Sequence, residues 1–306
     1  MEVETARGPS PSLCRPPGRG CARLLSVKGH AGRACLLIFF SLCLLQSPGS
    51  HAGEVFERVK STGLLRVATD EEYPPLSFLR EDGRFDGFDI AVAREIARRL
   101  GVEVDFVLPE WEVITAGRWR GRWDLSVGSM TATSERATRL DFPAIYYFAP
   151  ATLAVRADNK SLESVTELNG RTIGTCGGCT YADHLRGHLA KDSLLAPHIL
   201  HNIKPGRIMT YETDRMAYED LAAGELDAVL LGQPSVEGAI AEGFAIRVLE
   251  KPIFYEPLAL AIEKGDPEFS AELAKIVEDM LADGTLSRLS KQWLGQDYTK
   301  KLTIAK

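Results

Sequence analysis

Basic residues are in the minority in this sequence. Its 306 residues include 42 acidic and 36 basic side chains, which gives a formal charge of −6. Residues 1–52 hold six of the basic and two of the acidic residues, so the rest of the chain has 30 basic against 40 acidic residues and a charge of −10. An acidic chain without a basic stripe is a poor nucleic-acid binder, and we expect no nucleic-acid partner.

Long apolar runs are also lacking. The clearest run, 34–45, follows Arg33 and precedes the small residues around Ala52. It is too short for a stable membrane-spanning helix, which needs about 20 apolar residues. This order is typical of a secretory signal peptide cleaved after Ala52. We therefore predict that 1–52 is a signal peptide with an atypically long N-terminal extension, and that a soluble exported protein begins near Gly53.

Cysteine is rare beyond residue 52, where only Cys176 and Cys179 remain. In an exported protein this C-x-x-C pair is expected to form a local disulfide. A redox motif with a lowered thiol pKa is the alternative. A zinc site that includes His184 and His188 is disfavoured, because only four residues separate Cys179 from His184, far fewer than in a zinc finger. We expect no metal and no cofactor.

Strand-like and helix-like segments alternate from Leu64 onward, which is typical of an α/β protein. The apolar pattern predicts strands at 64–68, 102–108, 125–128, 152–155, 172–175, 228–231 and 258–262. It predicts helices at 89–100, 181–189, 215–223, 267–281 and 285–294, with Asp89 as the cap of the first.

Small hydroxyl side chains and one arginine are concentrated at 128–136, after the apolar strand 124–128. The planar guanidinium of Arg136 can form two hydrogen bonds to a carboxylate, while hydroxyls and backbone N–H groups complete the site. The segment therefore favours a binding site for an amino acid or a related small acid. The alternative is a solvated surface turn, since loops rich in Ser and Thr are common.

Ordered motifs between residues 54 and 296 resemble those of periplasmic solute-binding protein family 3, the polar amino-acid ABC transporter substrate-binding proteins. The motifs that carry the resemblance are LRVATD (65–70), YPPLSF (73–78), GFDI (87–90), 124–136 with DFP (141–143), LNGRTIG (168–174), AIEKGDP (261–267), DGTL (283–286) and WLG (293–295). The resemblance implies a type II periplasmic binding-protein fold, with two lobes joined by two crossovers and a ligand cleft between them. Lobe one would be discontinuous, at 53–148 plus 256–306, and lobe two would span 149–255.

The resemblance also implies roles for individual residues. Arg136 would bind the ligand carboxylate with help from Thr131 and from the loop that contains Gly178 and Thr180. Gly128 and Ser129 would contact the amine. Tyr73 and Trp111 would sandwich the ligand side chain, and Asp70 would meet a cationic one.

Two further features concern the ends of the ligand. Thr180, with Asp183 three residues later, fits a helix-capping box whose free backbone N–H groups would attract an anion. After strand 228–231 the family commonly supplies an aspartate for the α-ammonium, but this chain has Gly232 followed by Gln233. Either Gln233 or another acid takes that role, or the ligand lacks a standard α-amino group, because a buried ammonium without a partner is costly.

The sequence therefore predicts a monomeric binding protein that delivers a small carboxylate-bearing solute, an amino acid or a derivative, to an ABC transporter permease. The alternative is a cyclohexadienyl or arogenate dehydratase-like lyase on the same scaffold. A lyase needs a general acid in the cleft, and the sequence around Gly232 supplies none. We expect no enzymatic activity.

Overall fold

The computed structural model of the protein describes residues 53–249 and 252–300, so the predicted signal peptide at 1–52 lies outside the described residues. The helices are α1 (Glu54–Thr62), α2 (Phe88–Leu100), α3 (Trp111–Thr115), α4 (Thr180–Leu185), α5 (Asp214–Ala223), α6 (Gln233–Glu242), α7 (Pro267–Ala282) and α8 (Thr285–Leu294). No helix within these described residues is both long enough and apolar enough to cross a membrane.

The strands are β1 (Leu64–Ala68), β2 (Glu72–Tyr73), β3 (Ser77–Leu79), β4 (Phe85–Asp86), β5 (Glu103–Val107), β6 (Leu125–Thr131), β7 (Leu140–Asp141), β8 (Ile145–Arg156), β9 (Thr172–Cys176), β10 (Arg207–Tyr211), β11 (Ala228–Gly232), β12 (Ile246–Val248) and β13 (Phe254–Glu263). Ten of them form one mixed sheet, whose main order is β10-β9-β11-β8-β13-β6-β1-β5. At its centre, β8 and β13 run antiparallel. On one side β1 is parallel to β5 and β6, and on the other β9 is parallel to β10 and β11.

Two large hydrophobic cores lie among the described residues. All members of the first, which includes Leu230, come from residues 151–254. The second, which includes Phe269, combines residues 59–149 with residues 258–298. The chain therefore builds one core from a central segment and the other from the two segments that flank it.

Asp89 does not cap α2, contrary to the prediction. The helix begins one residue earlier, after Gly87, whose φ of 123° is inaccessible to most side chains and whose added Cβ would lie 2.4 Å from the carbonyl oxygen of Leu76. The first N–H groups of the helix donate to backbone carbonyls, Phe88 to Pro75 and Asp89 to Leu76. Because these carbonyls replace a side-chain cap, the carboxyl group of Asp89 is buried inside the protein instead.

Thr180 is not a helix cap either. Cys179 precedes α4, no side chain caps the helix, and Thr180 is its first residue. The predicted capping box with Asp183 is therefore wrong, because the Thr180 hydroxyl donates to Glu256. The helix is also shorter than predicted and ends before Gly187, which has a φ of 75°.

Candidate functional site

A cavity of about 560 Å³ lies where the carboxyl ends of the parallel strands meet. Such edges position loop side chains from distant parts of a chain beside one another. The lining comes from 69–73, 108–112, 114, 128, 129, 131, 136, 176, 177, 179–181, 211–214 and 256.

Most of the residues singled out from the sequence line this cavity, namely Asp70, Tyr73, Trp111, Gly128, Ser129, Thr131, Arg136, Thr180, Cys176 and Cys179. Gly178 and Gln233 are not among the lining residues. Gln233 was the proposed substitute for an acid at 232, but its amide donates to Glu237, one helical turn further on, at 2.7 Å. In this structure the Gln233 side chain therefore pairs along α6, and its role in ligand binding stays a prediction.

Arg136 is the basic side chain of the cavity, and it is only 8% exposed. Its Nη1 donates to the Thr131 carbonyl at 3.0 Å, and its Nη2 donates to the Gly178 carbonyl at 3.2 Å. The guanidinium lies 5.2 Å from the centre of the Trp111 ring, a cation–π distance. Burial lowers the pKa of Arg136 from its ordinary value. These contacts hold a planar cation rigidly in the cavity wall.

The Gly178 carbonyl accepts hydrogen bonds from two side chains that line the cavity. Besides Arg136, it accepts a hydrogen bond from Trp111 Nε1 at 3.2 Å. Gly178 has a φ of 64°, so the turn favours glycine. Cys176 and Cys179 enclose this turn in a disulfide, with their Cα atoms 5.8 Å apart, which confirms the predicted local pair. Gly178 thus serves the site through its backbone, although it does not line the cavity.

The two histidines near this loop differ in burial. His184 is buried against Phe254, and burial lowers its pKa to about 4. His188 is exposed, with Nδ1 3.5 Å from an Asp183 oxygen. Within the described part of the chain, no group of three His, Cys, Asp or Glu side chains could hold a metal ion.

Glu256 is a site residue that the sequence analysis missed. It lies on β13, is 1% exposed, and accepts hydrogen bonds from the hydroxyls of Thr131, at 2.7 Å, and Thr180. Burial raises the pKa of Glu256. Each threonine hydroxyl has one proton, so while both donate to Glu256 they can only accept from a ligand. The Thr131 hydroxyl donates to Glu256 in this structure, and its help in binding a ligand carboxylate stays a prediction.

Asp214 is a second missed residue, at the start of α5 and 9% exposed. Its Oδ2 accepts from the Ser235 hydroxyl at 2.6 Å. Burial, and then the negative charges of Asp70 and Glu256, raise the pKa of Asp214 to about 6.

Of the lining residues that the structure describes, eight are acidic and Arg136 alone is basic. The cavity therefore favours cations at most of its surface and an anion at Arg136.

Ser129 is supported from behind by Asp89. Ser129 has a φ of 49°, its Oγ donates to Asp89 Oδ2 at 2.7 Å, and its N–H donates to the Tyr146 hydroxyl at 3.0 Å. Tyr146 in turn donates to Asp89 Oδ1 at 2.7 Å. The Tyr147 hydroxyl lies 2.6 Å from the Ser129 Oγ. This buried network holds Ser129 in a backbone conformation that is unusual for a residue other than glycine.

Because of the ionisation of Asp89, we expect the folded protein to become less stable as the pH rises. Burial raises the pKa of Asp89 from 3.8 to about 7, so between these values the folded protein holds a proton that the unfolded chain has released. The free energy of unfolding should then fall with rising pH through this window, by up to about 1.4 kcal/mol per pH unit. Urea unfolding of wild type and Asp89→Asn from pH 4 to pH 7.5 measures the difference. The variant, which cannot ionise at this position, should show a smaller slope, and equal slopes would contradict the assignment.

Comparison with known proteins gives relatives along nearly all of the described chain. The family of bacterial extracellular solute-binding proteins, family 3, matches residues 65–296. The L-cystine-binding protein TcyJ of Escherichia coli K12 is 27% identical over 276 residues, which cover 89% of this chain and 98% of that protein. The solved ancestral amino acid-binding protein AncCDT-1, a precursor of cyclohexadienyl dehydratase, is 30% identical with a TM-score of 0.67, covering 78% of this chain and 98% of its own. An ancestral arginine-binding protein solved with arginine is 29% identical with a TM-score of 0.66, covering 76% and 99%.

Proposed function

This chain belongs to the bacterial extracellular solute-binding proteins of family 3, and from that membership we propose that it captures an amino acid or a derivative in the periplasm and delivers it to an ABC importer. The single observation that supports an amino-acid-like ligand best is Arg136, whose buried guanidinium is held in the cavity wall by two carbonyls. A planar guanidinium suits a carboxylate, which it can bind with two parallel hydrogen bonds.

We propose that Tyr73 and Trp111 pack against the ligand and that Asp70 meets a cationic side chain. The acidic lining supports a ligand with an additional positive charge, since eight carboxylates line the cavity, six of them exposed and two buried. An ancestral relative of similar fold was solved with arginine. The ligand class proposed is therefore an amino acid with a basic side chain.

We propose that lobe one comprises 53–148 plus 256–306 and lobe two 149–255, and that they close on the ligand. The two hydrophobic cores support this division, because one draws its members from 151–254 and the other from both flanking segments. Arg136 and Trp111 belong to lobe one and Gly178 to lobe two in this scheme. Their shared hydrogen-bonded contact would then form when the lobes close.

The test is a thermal-shift and calorimetric screen of the protein lacking residues 1–52 with the standard amino acids, cystine, betaines and polyamines. A ligand at a hundred times its dissociation constant should raise the stability by about 2.7 kcal/mol. The matched control for each hit is its carboxamide, which keeps the amine and side chain but offers Arg136 no carboxylate. Equal binding of acid and amide would contradict the proposal.

A lyase is the second candidate, because the structure provides what the sequence did not. Glu256 and Asp214 are buried carboxyl groups in the cavity, and burial raises the pKa of each. The sequence analysis did not single out either of these two buried carboxyl groups, and each is a candidate for the general acid of a lyase. Turnover of prephenate or arogenate by the purified protein, lost in Glu256→Gln, would replace the transport proposal with a lyase.

A further inference from the structure

We propose that Asp214 binds the α-ammonium group of the solute, so that an amino acid spans the cavity from Arg136 to Asp214. This deepens the function proposed above and rests on it.

Burial separates two of the eight cavity carboxylates from the others. Asp70, Glu71, Glu72, Glu110, Glu112 and Glu212 are exposed, whereas Asp214 and Glu256 are buried. An exposed carboxylate is hydrated and screened, so it attracts a cation to the cavity but holds it less strongly than a buried carboxylate does. A buried carboxylate without a partner is costly, and a bound cation relieves that cost. The ammonium acceptor is therefore one of the two buried acids.

Glu256 already has partners. Two threonine hydroxyls donate to its Oε1, and the charge of Arg136 favours its ionised form. Asp214 has the Ser235 hydroxyl on Oδ2, and no basic side chain among residues 53–249 and 252–300 forms an ion pair with it. Since an ionised carboxylate can accept about four hydrogen bonds, Asp214 has both the capacity and the electrostatic need for a cationic partner.

Gly232 leaves space for the hydroxyl groups of two tyrosines. A Cβ at residue 232 would lie 2.9 Å from the Tyr181 hydroxyl and 3.5 Å from the Tyr73 hydroxyl. The negative charge of Asp214 acts on both of these tyrosines. A side chain at 232 would therefore displace Tyr181, and the carboxyl group for this end of the cavity comes from the start of α5 instead of the end of β11.

The experiment pairs a change in the protein with a change in the ligand. L-Lysine and L-arginine are compared with 6-aminohexanoate and 5-guanidinopentanoate, which lack only the α-ammonium group. Asp214→Asn should weaken binding of the amino acids by about 100-fold, which is within the range for a buried hydrogen-bonded charge pair, and binding of the deamino analogues by less than about 3-fold. Glu219→Gln is the matched control, since it removes one charge from an exposed residue of the same helix that pairs with Arg215 and does not line the cavity, and it should leave all four ligands nearly unaffected.

Each outcome decides a different point. Equal weakening of the amino acids and the deamino analogues in Asp214→Asn would mean that Asp214 binds the side-chain cation that all four ligands carry, and it would overturn the inference. Unchanged binding would overturn it as well. If neither amino acid binds the wild type, both this inference and the basic amino-acid ligand fail. If either binds but Asp214→Asn matches the wild type, only this inference fails.

Calorimetry on the wild type gives a second readout that does not need the variant to fold. A cation beside Asp214 favours the ionised carboxylate, so binding of L-lysine or L-arginine near pH 6 should release protons, detected by repeating the titration in buffers of different ionisation enthalpy. The deamino analogues should release fewer. Equal proton release by both ligand types would overturn the inference.

Discussion

Replacing Arg136 with alanine should abolish the stabilisation that an amino-acid ligand confers. Truncating one partner of a buried, hydrogen-bonded charge pair costs about 2–5 kcal/mol, which corresponds to a loss of affinity of about 30- to 5000-fold. The substitution would also remove the donor to the Gly178 carbonyl and the cation that lies over the Trp111 ring. Isothermal titration calorimetry of the variant, together with its thermal shift at a saturating wild-type ligand concentration, measures the effect.

Two controls sharpen this prediction. Arg139→Ala removes an exposed arginine three residues away, which pairs with Glu135 on the surface, and it should leave the affinity unchanged. Arg136→Lys keeps the charge but loses the planar fork, so its affinity should fall between those of wild type and alanine. Full affinity in Arg136→Ala would refute the assignment of the carboxylate site.

Asp124→Ala should cause the largest loss of stability of any single change considered, about 3 kcal/mol, because it removes a buried carboxylate that accepts several hydrogen bonds, and a hydrogen bond to a charged group contributes about 1.5–3 kcal/mol. The Asp124 side chain is only 1% exposed, and it forms ion pairs with Arg58 and Arg66. Its Oδ2 also accepts from the backbone N–H of Arg66 at 2.9 Å, which ties β1 to the loop before β6. Chemical denaturation monitored by circular dichroism gives the free energy of unfolding.

The matched control for Asp124 is Asp82, which pairs with Arg84 while both side chains are largely exposed, at 44% and 73%. Ion pairs of that kind contribute at most about 1 kcal/mol, so Asp82→Ala should change the stability little. A similar effect of the two substitutions would show that the buried Asp124 network does not hold the strands together.

The family and the α/β fold predicted from the ordered motifs are confirmed, since the family match spans 65–296. The local apolar pattern was sufficient to predict a helix or strand that is defined by its own residues. For example, β1 was predicted at 64–68 and α8 at 285–294, which are the bounds observed. The roles of polar residues at the starts of helices were harder to predict. Asp89 and Thr180 resemble helix caps when only the residues next to them in sequence are considered. Their actual partners, Ser129 and Glu256, are far away in sequence.

Glu256 and Asp214 show why part of the cavity could not be predicted. Glu256 precedes Pro257 within a strand, and Asp214 is the first residue of a helix, so each has an ordinary structural explanation in its own segment. Their burial depends on how three distant parts of the chain pack together. Only Gly232 hinted that an acid had to come from elsewhere, and nothing in the sequence distinguishes Asp214 from the other acids nearby.

The disulfide between Cys176 and Cys179 also bears on the entropy of binding. It encloses Gly177 and Gly178, and two successive glycines would otherwise have the greatest backbone freedom in the loop. Ordering a free loop around a solute subtracts from the affinity, whereas the covalent ring restricts these two residues before any solute arrives. The Gly178 carbonyl is thus held in place to accept hydrogen bonds from Arg136 and Trp111. The affinity for the solute therefore depends on whether the disulfide that closes this four-residue ring is formed.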